Sequence, residues 1–445
     1  MGGSFGALGA DIGSARINPA GFGRYSSSQF SFGLSQVSVM NRADFNGTST
    51  DSRKNRMRLA NIGFVLTQDL SANRGGFLYQ QFGIGYTSVA NFSNTVKYTG
   101  QQYESLLDGF AAQAQGIAPA DLQAYYPFST LLAYETYTID YDGTNYIPRL
   151  TDEDLVHTRT ITTTGGINEL HFSYSANYLN KLYIGANIGF QFLRYTETTE
   201  HNETLIDTAG VSLRSFDYLY DLTTSGNGTN LKIGAIYLPS EAFRLGLALH
   251  TPTYFELTDD WAADMTATHD TGVIETPADL KPTGNYKYRM RTPARMIGSM
   301  AYVFGTKGCV NVDLEYLDYR WAHFKTTTDE AYAAYDYEIE NEAADNRFTQ
   351  ALNVRVGAEY VVRTIFFIRG GFGYLPKGDK ALLDYGGKAD YLYSGGVGVR
   401  LNKWTLDAAL RSLIQTRSYS AFPGSFADIR TNQQFIVVNA QYKFN

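Results

Sequence analysis

Of the 445 residues one is cysteine, Cys309, and 11 are proline. A lone thiol excludes an intramolecular disulfide and any cysteine-rich zinc or iron–sulfur centre. Charged side chains make up only 18%, against roughly 25% in an ordinary soluble domain. A basic excess is missing as well. The 37 Lys and Arg against 44 Asp and Glu leave a formal charge of −7, which argues against a nucleic-acid partner. No run approaches the ~18 apolar residues of a membrane-spanning helix. The opening, Met1-Gly2-Gly3-Ser4-Phe5-Gly6, lacks the charged and apolar regions of a secretory leader; a secreted barrel is expected here as a mature chain whose leader has been removed. What is abundant is glycine, 43 residues, and tyrosine, 34. A soluble all-β protein or a transmembrane β-barrel remains.

Alternation with a period of two runs through the chain. Ile436, Val438, Ala440, Tyr442 and Phe444 share one face, and Val437, Asn439, Gln441 and Lys443 the other. Val310, Val312, Leu314 and Tyr316 alternate with Asn311, Asp313 and Glu315, and Trp404, Leu406, Ala408 and Leu410 with Thr405, Asp407 and Arg411. Such a dyad marks a half-buried strand. Segments of this kind occupy 28–40, 57–68, 78–90, 167–178, 182–196, 228–238, 242–258, 286–304, 309–322, 347–362, 365–376, 389–401, 403–417 and 432–444.

The linkers choose between the two folds. After even-numbered segments they are mostly short: Leu179-Asn180-Lys181, Pro239-Ser240-Glu241, Gly305-Thr306-Lys307-Gly308, Arg363-Thr364 and Asn402, with 69–77 longer. After odd-numbered segments they are long: 41–56, 91–166, 197–227, 259–285, 323–346, 377–388 and 418–431. Tight turns at one end and long loops at the other predict an all-β, transmembrane antiparallel barrel of about fourteen strands. Aromatics near strand ends, among them Tyr374, Tyr391, Tyr393, Trp404, Tyr442 and Phe444, suit interfacial girdles. Phe444 resembles the C-terminal aromatic signal of outer-membrane barrels, although Asn445 follows it. Residues 1–26, rich in Gly and Ala, show no alternation and cannot build a core of their own. Since about fourteen strands enclose a bore too wide for wall side chains to fill, this segment is either a loose tail or a plug.

The run Met1-Gly2-Gly3-Ser4-Phe5, then Ala10-Asp11-Ile12-Gly13-Ser14 and Asn18-Pro19-Ala20-Gly21, resembles the N-terminal hatch of the FadL/TodX family of outer-membrane channels, Asn18-Pro19-Ala20 matching its NPA motif. Further stretches are similar to the family: Leu231 to Pro239 with Phe243 to Ala248, Thr292-Pro293-Ala294, Asp313-Leu314-Glu315-Tyr316, Val356 to Tyr360 and Ile368 to Phe372. The resemblance implies a hatch at 1–26 inside a barrel at 27–445, with Asp11, Arg16, Asn18, Pro19 and Ala20 as hatch or gate residues. It also implies a kinked third strand. Gly83 and Gly85 lie in that strand, and glycine there permits a bulge or a close backbone approach.

The linker 91–166 is too long to be structureless. Tyr103, Leu106, Leu107 and Phe110 recur at helical spacing, and Leu122, Tyr125, Tyr126 and Phe128 follow Pro119. These eight either form the outer hydrophobic groove that the resemblance implies or make up the loop's own small core. On the wall, Arg289, Arg291, Arg295 and Arg369 are expected to face the lumen, as an alternative to the roughly 2–4 kcal/mol of placing Arg against lipid. They either clasp hatch groups such as Asp11, Arg16 and Asn18 or receive a ligand carboxylate.

The six histidines show no HxxxH or HxH spacing, so neither a metal site nor a cofactor is expected. Asp140-Tyr141-Asp142-Gly143 lacks the ligands of a calcium loop, and no GxSxG elbow occurs, so no enzyme is expected. The function that the resemblance implies is passive uptake of hydrophobic small molecules, long-chain fatty acid-like or aromatic, across the outer membrane of a Gram-negative bacterium. The steps are capture outside, lumenal binding and lateral release gated by the hatch. The partners are then the ligand or lipid and the surrounding outer-membrane lipid. The alternative is the same barrel acting as a subunit or docking component of a larger outer-membrane complex.

Overall fold

The computed structural model describes residues 1–72, 75–150, 154–327, 335–385 and 389–444, with 383–385 described by backbone alone. Parts of the linkers 69–77, 91–166, 323–346 and 377–388, and Asn445 of the C-terminal signal, lie outside the described residues. The chain opens with α1 (Ser14–Ile17) and a 3-10 turn (Pro19–Arg24), then β1 (Gln29–Phe45), β2 (Thr48–Asp69), β3 (Phe77–Asn91) and β4 (Asn94–Gln102). A helical excursion follows: α2 (Leu106–Gln113), α3 (Leu122–Tyr125), α4 (Thr130–Glu135) and the hairpin β5 (Ile139–Tyr141) and β6 (Tyr146–Pro148). The wall resumes with β7 (Leu155–Tyr178), β8 (Leu182–Leu205), β9 (Leu213–Tyr237), β10 (Phe243–His250), β11 (Tyr254–His269), β12 (Gly272–Glu275), β13 (Thr283–Arg291), β14 (Arg295–Val303), β15 (Gly308–Asp318) and β16 (His323–Lys325). After α5 (Glu338–Arg347) come β17 (Gln350–Val362), β18 (Phe366–Pro376), α6 (Lys380–Tyr385), β19 (Ala389–Leu401), β20 (Trp404–Ser420) and β21 (Phe426–Lys443).

Neighbouring strands pair antiparallel all round, and β1 meets β21 from Gln29↔Lys443 to Asp44↔Asp428. That last pairing closes a barrel of 14 strands, in which β10 with β11 and β13 with β14 each count as one broken strand. Closure removes both sheet edges and satisfies the backbone internally. All fourteen expected segments coincide with barrel strands in the expected order. The tight turns place non-glycine residues in the left-handed region, Leu179-Asn180, Arg363-Thr364 and Asn402.

Along the outer face runs a belt of exposed apolar side chains, for example Leu182, Ile184, Ile188, Phe190 and Phe192 on β8 and Leu245, Leu247 and Leu249 on β10. Such a belt is what a barrel presents to acyl chains. At the short-turn end it is bordered by rings in contact, Trp404 on Tyr442, Tyr442 on Phe444 and Phe77 on Tyr178. Among the described residues, no helix is long and apolar enough to cross a membrane.

Four expected loops are largely strand. Linker 41–56 closes in a hairpin turn at Asn46-Gly47, both at positive φ, as an Asn-Gly pair favours. Linkers 197–227, 259–285 and 418–431 are mostly ladder as well, β8 pairing with β9 up to Thr204↔Ser215 and β20 with β21 up to Ser420↔Phe426. Beyond the belt the outer face turns polar, as at Thr196, Thr198, Glu200, Asn202 and Thr204 of β8, and Thr is a good strand former, so the belt's apolar alternation stops while pairing continues.

Candidate functional site

Residues 1–26 lie inside the barrel. Asp313, an inward carboxylate of β15, accepts the backbone N–H of Phe5 at 2.7 Å and that of Gly6 at 3.2 Å. Asn311 beside it donates to Ser4 Oγ at 2.7 Å. Asn18 makes three bonds. Its Oδ1 accepts from Ala20 N at 3.1 Å, capping the 3-10 turn, and its Nδ2 donates to the carbonyls of Gly6 (2.8 Å) and Ala235 (3.1 Å). Pro19 at the start of that turn rests on the wall at Gly185, where a Cβ would meet the Pro19 carbonyl carbon at 2.5 Å. Glycine alone allows this approach. Asp11 turns the chain by accepting from Gly13 N at 2.7 Å, and His250 Nε2 reaches the Ile17 carbonyl at 3.0 Å.

The segment divides the bore. On the short-turn side is a cavity of about 860 Å³, lined by residues such as Leu8, Thr306 and Lys403. On the long-loop side is one of about 620 Å³, lined by Arg16, Arg58, Arg295, Arg355, Arg369 and Arg411 against four carboxylates, Asp11, Asp313, Glu315 and Asp407. Several are ion-paired. Arg355 meets Glu315 at 2.5 Å, Arg295 meets it at 3.6 Å, and Arg369 joins both Glu359 and Asp407. Among the described residues Arg411 has no carboxylate partner; its guanidinium lies 5.2 Å from the Phe435 ring. Ile12, Ile17, Ile297, Leu392, Leu413 and Val437 supply apolar lining.

Of the four expected lumenal arginines, Arg295 and Arg369 face this cavity. Arg289 and Arg291 do not. Arg289 pairs with the exposed Glu256 at 2.6 Å, and Arg291 lies opposite the exposed Tyr254. The cause is the break at 292–294, matched on the neighbouring strand at 251–253, where Thr253 and Thr292 bond each other. Crossing it reverses which parity points inward. Arg355 and Arg411 line the cavity as well, as expected from alternation that turns the faces carrying Arg355 with Glu359 and Asp407 with Arg411 toward the lumen; sequence reading missed Arg58, although it too sits in an alternating segment.

Above this cavity the wall is split. β2 and β3 pair from Asp69↔Tyr79 only as far as Asn61↔Thr87. Beyond that, β2 continues with β1, while β3 and β4 follow β7. β4 tucks inward, burying Val96 and Tyr98 with Ala43, Phe45, Ala427 and Ile429. Side chains bridge the seam in place of a ladder: Arg58 to the Ala90 carbonyl (2.9 Å), Arg56 to Ser93 Oγ (3.0 Å) and Ser52 to the Thr95 carbonyl (2.6 Å). From the hatch, Arg16 reaches the carbonyls of Ser88 and Val89. The irregularity of β3 falls here, between Ser88 and Ala90. Gly83 and Gly85 sit lower, in an unbroken ladder with Val65 and Gly63. They admit the Phe22 ring of the hatch and the His171 imidazole respectively.

Helices α2, α3 and α4 cover the long-loop end. Leu106, Leu107 and Leu122 are buried with Leu131 and Leu132 against Leu155, Leu205, Phe216 and Met265 of the wall. They form the small core of this cap and do not line a groove. Tyr103 and Tyr125 are exposed, whereas Phe110, Tyr126 and Phe128 are half-buried at its rim. Phe110 meets Tyr218 edge-on at 5.3 Å and Phe128 meets Trp261 at 6.0 Å. Tyr286, Tyr288 and Phe324 continue this aromatic surface along the inner wall. The cap is pinned at one carboxylate. Glu203 accepts from Leu106 N at 2.8 Å and from Ser105 Oγ at 2.5 Å. Burial opposes its charge, yet His201, His157 and the Leu106 N–H outweigh burial and hold its carboxyl below the usual range.

No family model matches the sequence, and no curated protein does either. Solved structures do match. The Ralstonia pickettii toluene transporter TbuX superposes with a TM-score of 0.54 at 17% identity, covering 100% of this chain and 97% of that one. A Pseudomonas aeruginosa FadL homologue gives 0.58 at 11%, covering 99% and 96%. The Pseudomonas putida toluene transporter TodX gives 0.55 at 13%, covering 100% and 96%. Nearly complete coverage from both sides makes the shared feature the whole architecture, and the chain has the FadL/TodX-like fold, a closed barrel of 14 antiparallel strands.

Proposed function

We propose that the protein is an outer-membrane channel of a diderm bacterium for passive uptake of hydrophobic molecules bearing an acidic head group. The observation that carries this reading is the cavity of about 620 Å³ held between the hatch and the seam, where six arginines face four carboxylates across an apolar floor. A chain-like or aromatic body is captured on the aromatic rim formed by Phe110, Phe128 and Trp261. It passes under the cap, and its carboxylate meets Arg411 and Arg58, the two wall arginines of the cavity without a carboxylate ion pair among the described residues. The ligand leaves through the seam between β2 and β4, where no backbone ladder has to break. Met57 of β2 is exposed beside it, at 71%. Uptake in this reading is passive and follows the ligand's own concentration gradient. The fold's solved examples include proteins described as toluene transporters, which supports a hydrophobic cargo.

Binding of a fluorescent long-chain carboxylate and of the alcohol of equal chain length tests the head-group assignment. The wild type should prefer the carboxylate by roughly tenfold, the value of about 1.4 kcal/mol for one charge-assisted contact, and Arg411→Gln should lose that preference. Equal affinity for both probes in the wild type would overturn it.

A further inference from the structure

The strand register assembles a cluster that no sequence spacing announces. His157 on β7 lies directly opposite Glu203 on β8, and His201 shares Glu203's face two residues earlier. Cross-strand and i, i+2 neighbours of this kind bring side-chain tips together. One donor atom from each residue lies within 4.8 Å of the other two. Glu203 Oε1 is 2.8 Å from His201 Nε2 and 3.5 Å from His157 Nδ1. Two ligands about 2.1 Å from a tetrahedral ion stand roughly 3.4 Å apart, so the spacing suits such an ion with small side-chain shifts.

The cluster is sealed. His157, His201 and Glu203 are 0%, 2% and 0% exposed. Phe45, Phe216 and Phe422 surround the two imidazoles, tilted or edge-on, with ring centroids 6.0 to 6.5 Å apart. Inside this apolar shell both nitrogens of His157 and Nδ1 of His201 lack a hydrogen-bond partner. Buried polar atoms are rarely left so. Glu203, by contrast, is oriented from outside: Ser105 Oγ holds Oε2, and Leu106 N holds Oε1. Fixing a ligand carboxylate through outer hydrogen bonds is how metal sites are organised.

We propose that His157 Nδ1, His201 Nε2 and Glu203 Oε1 bind one divalent transition-metal ion, zinc by the ligand set, which staples the helical cap to the barrel wall. Two imidazoles and a carboxylate suit zinc better than calcium or magnesium, which take oxygen ligands. The ion takes up the Nδ1 lone pair of His157, which lies 3.5 Å from Glu203 Oε1 and makes no hydrogen bond. Because Glu203 also caps α2, the ion couples β7 and β8 to the first turn of the cap and disfavours its lifting from the mouth.

The test uses tag-free full-length protein in detergent, stripped with a chelator and reloaded with Co²⁺ or Zn²⁺. The wild type should retain one equivalent after desalting, and Co²⁺ should give the intense visible bands of a tetrahedral site. Amide exchange across residues 105–113 should slow on loading. His157→Phe, which keeps the ring volume, and Glu203→Gln, which keeps the acceptor for Leu106, should each weaken binding roughly 100-fold or more while retaining heat-modifiable migration. A wild type that retains no metal overturns the proposal. So does a folded variant of either kind that binds the ion as tightly as the wild type.

Discussion

The Arg16 guanidinium, carried by the hatch, donates to the Ser88 carbonyl at 3.2 Å, at the point where β3 slips its register against β7. A second nitrogen points at the Val89 carbonyl, 3.4 Å away. The hatch is thus hydrogen-bonded to β3 just beyond the point where its ladder with β2 ends. Replacing Arg16 by Gln should raise the uptake rate of a hydrophobic probe into proteoliposomes. Barrel stability should change by no more than about 1–3 kcal/mol, the value of bonds to a charged donor. Unchanged flux with a folded barrel would separate hatch from seam.

Asn18 is the most connected hatch side chain, bonding Ala20 N and the carbonyls of Gly6 and Ala235. Asn18→Ala removes a helix-turn cap and two buried donors, together about 1–3 kcal/mol. That loss falls on the attachment of the hatch and leaves the barrel ladder untouched. Planar-bilayer recordings should show conductance bursts absent from the wild type, with an unaltered thermal midpoint of barrel unfolding.

Gly185 and Gly370 form a matched pair. A Cβ at Gly185 meets hatch backbone at 2.5 Å, whereas a Cβ at Gly370 meets nothing within 4 Å. Gly185→Ala should displace the Pro19 turn and raise conductance. Gly370→Ala should be silent in the same recording. Equal behaviour of the two variants would mean that the hatch does not bear on the wall at this point.

The cap separates packing from binding. Leu107 is fully buried, and Leu107→Ala should destabilise the cap by about 2–5 kcal/mol, seen as faster amide exchange across 105–135. Trp261→Ser, at the rim beside Phe128, should instead weaken ligand affinity with the cap's exchange unaltered. Hydrogen exchange and ligand titration on both variants distinguish the roles.

Arg347 of α5 pairs with Asp379 at 2.7 Å in the loop beyond β18. Burial raises the Asp379 carboxyl, but Arg347 and the N–H of Ala381 outweigh it and hold it below its ordinary 3.8. A depressed folded pKa stabilises at pH above 3.8, and that contribution fades as pH falls through the lower folded value. Amide exchange of residues 338–348 should therefore accelerate between about pH 4 and pH 2. Arg347→Gln should weaken that pH dependence, the Ala381 N–H remaining.

All fourteen wall ribbons and their order were legible in the sequence, because alternation is written locally: every second residue of β20 and β21 carries the apolar face. The first 26 residues were legible as something other than wall, since a segment such as Ala7 to Phe22 lacks alternation; that they form a hatch came from the resemblance. The polar extensions of β8 and β9 were not, because both faces there meet water or cap and the apolar period vanishes while pairing goes on.

Sequence alone thus determined the barrel, which follows from side-chain period that neighbours along the chain decide, whereas composition left the first 26 residues as tail or plug and only the resemblance made them a cork. Tertiary structure decided what acts inside. The parity reversal at 251–253 and 292–294 turned Arg289 and Arg291 outward, and the inward tuck of β4 opened the seam. The register of β7 on β8 set His157 against Glu203. Each depends on how distant strands align once the ring closes, a constraint that no local window of residues carries.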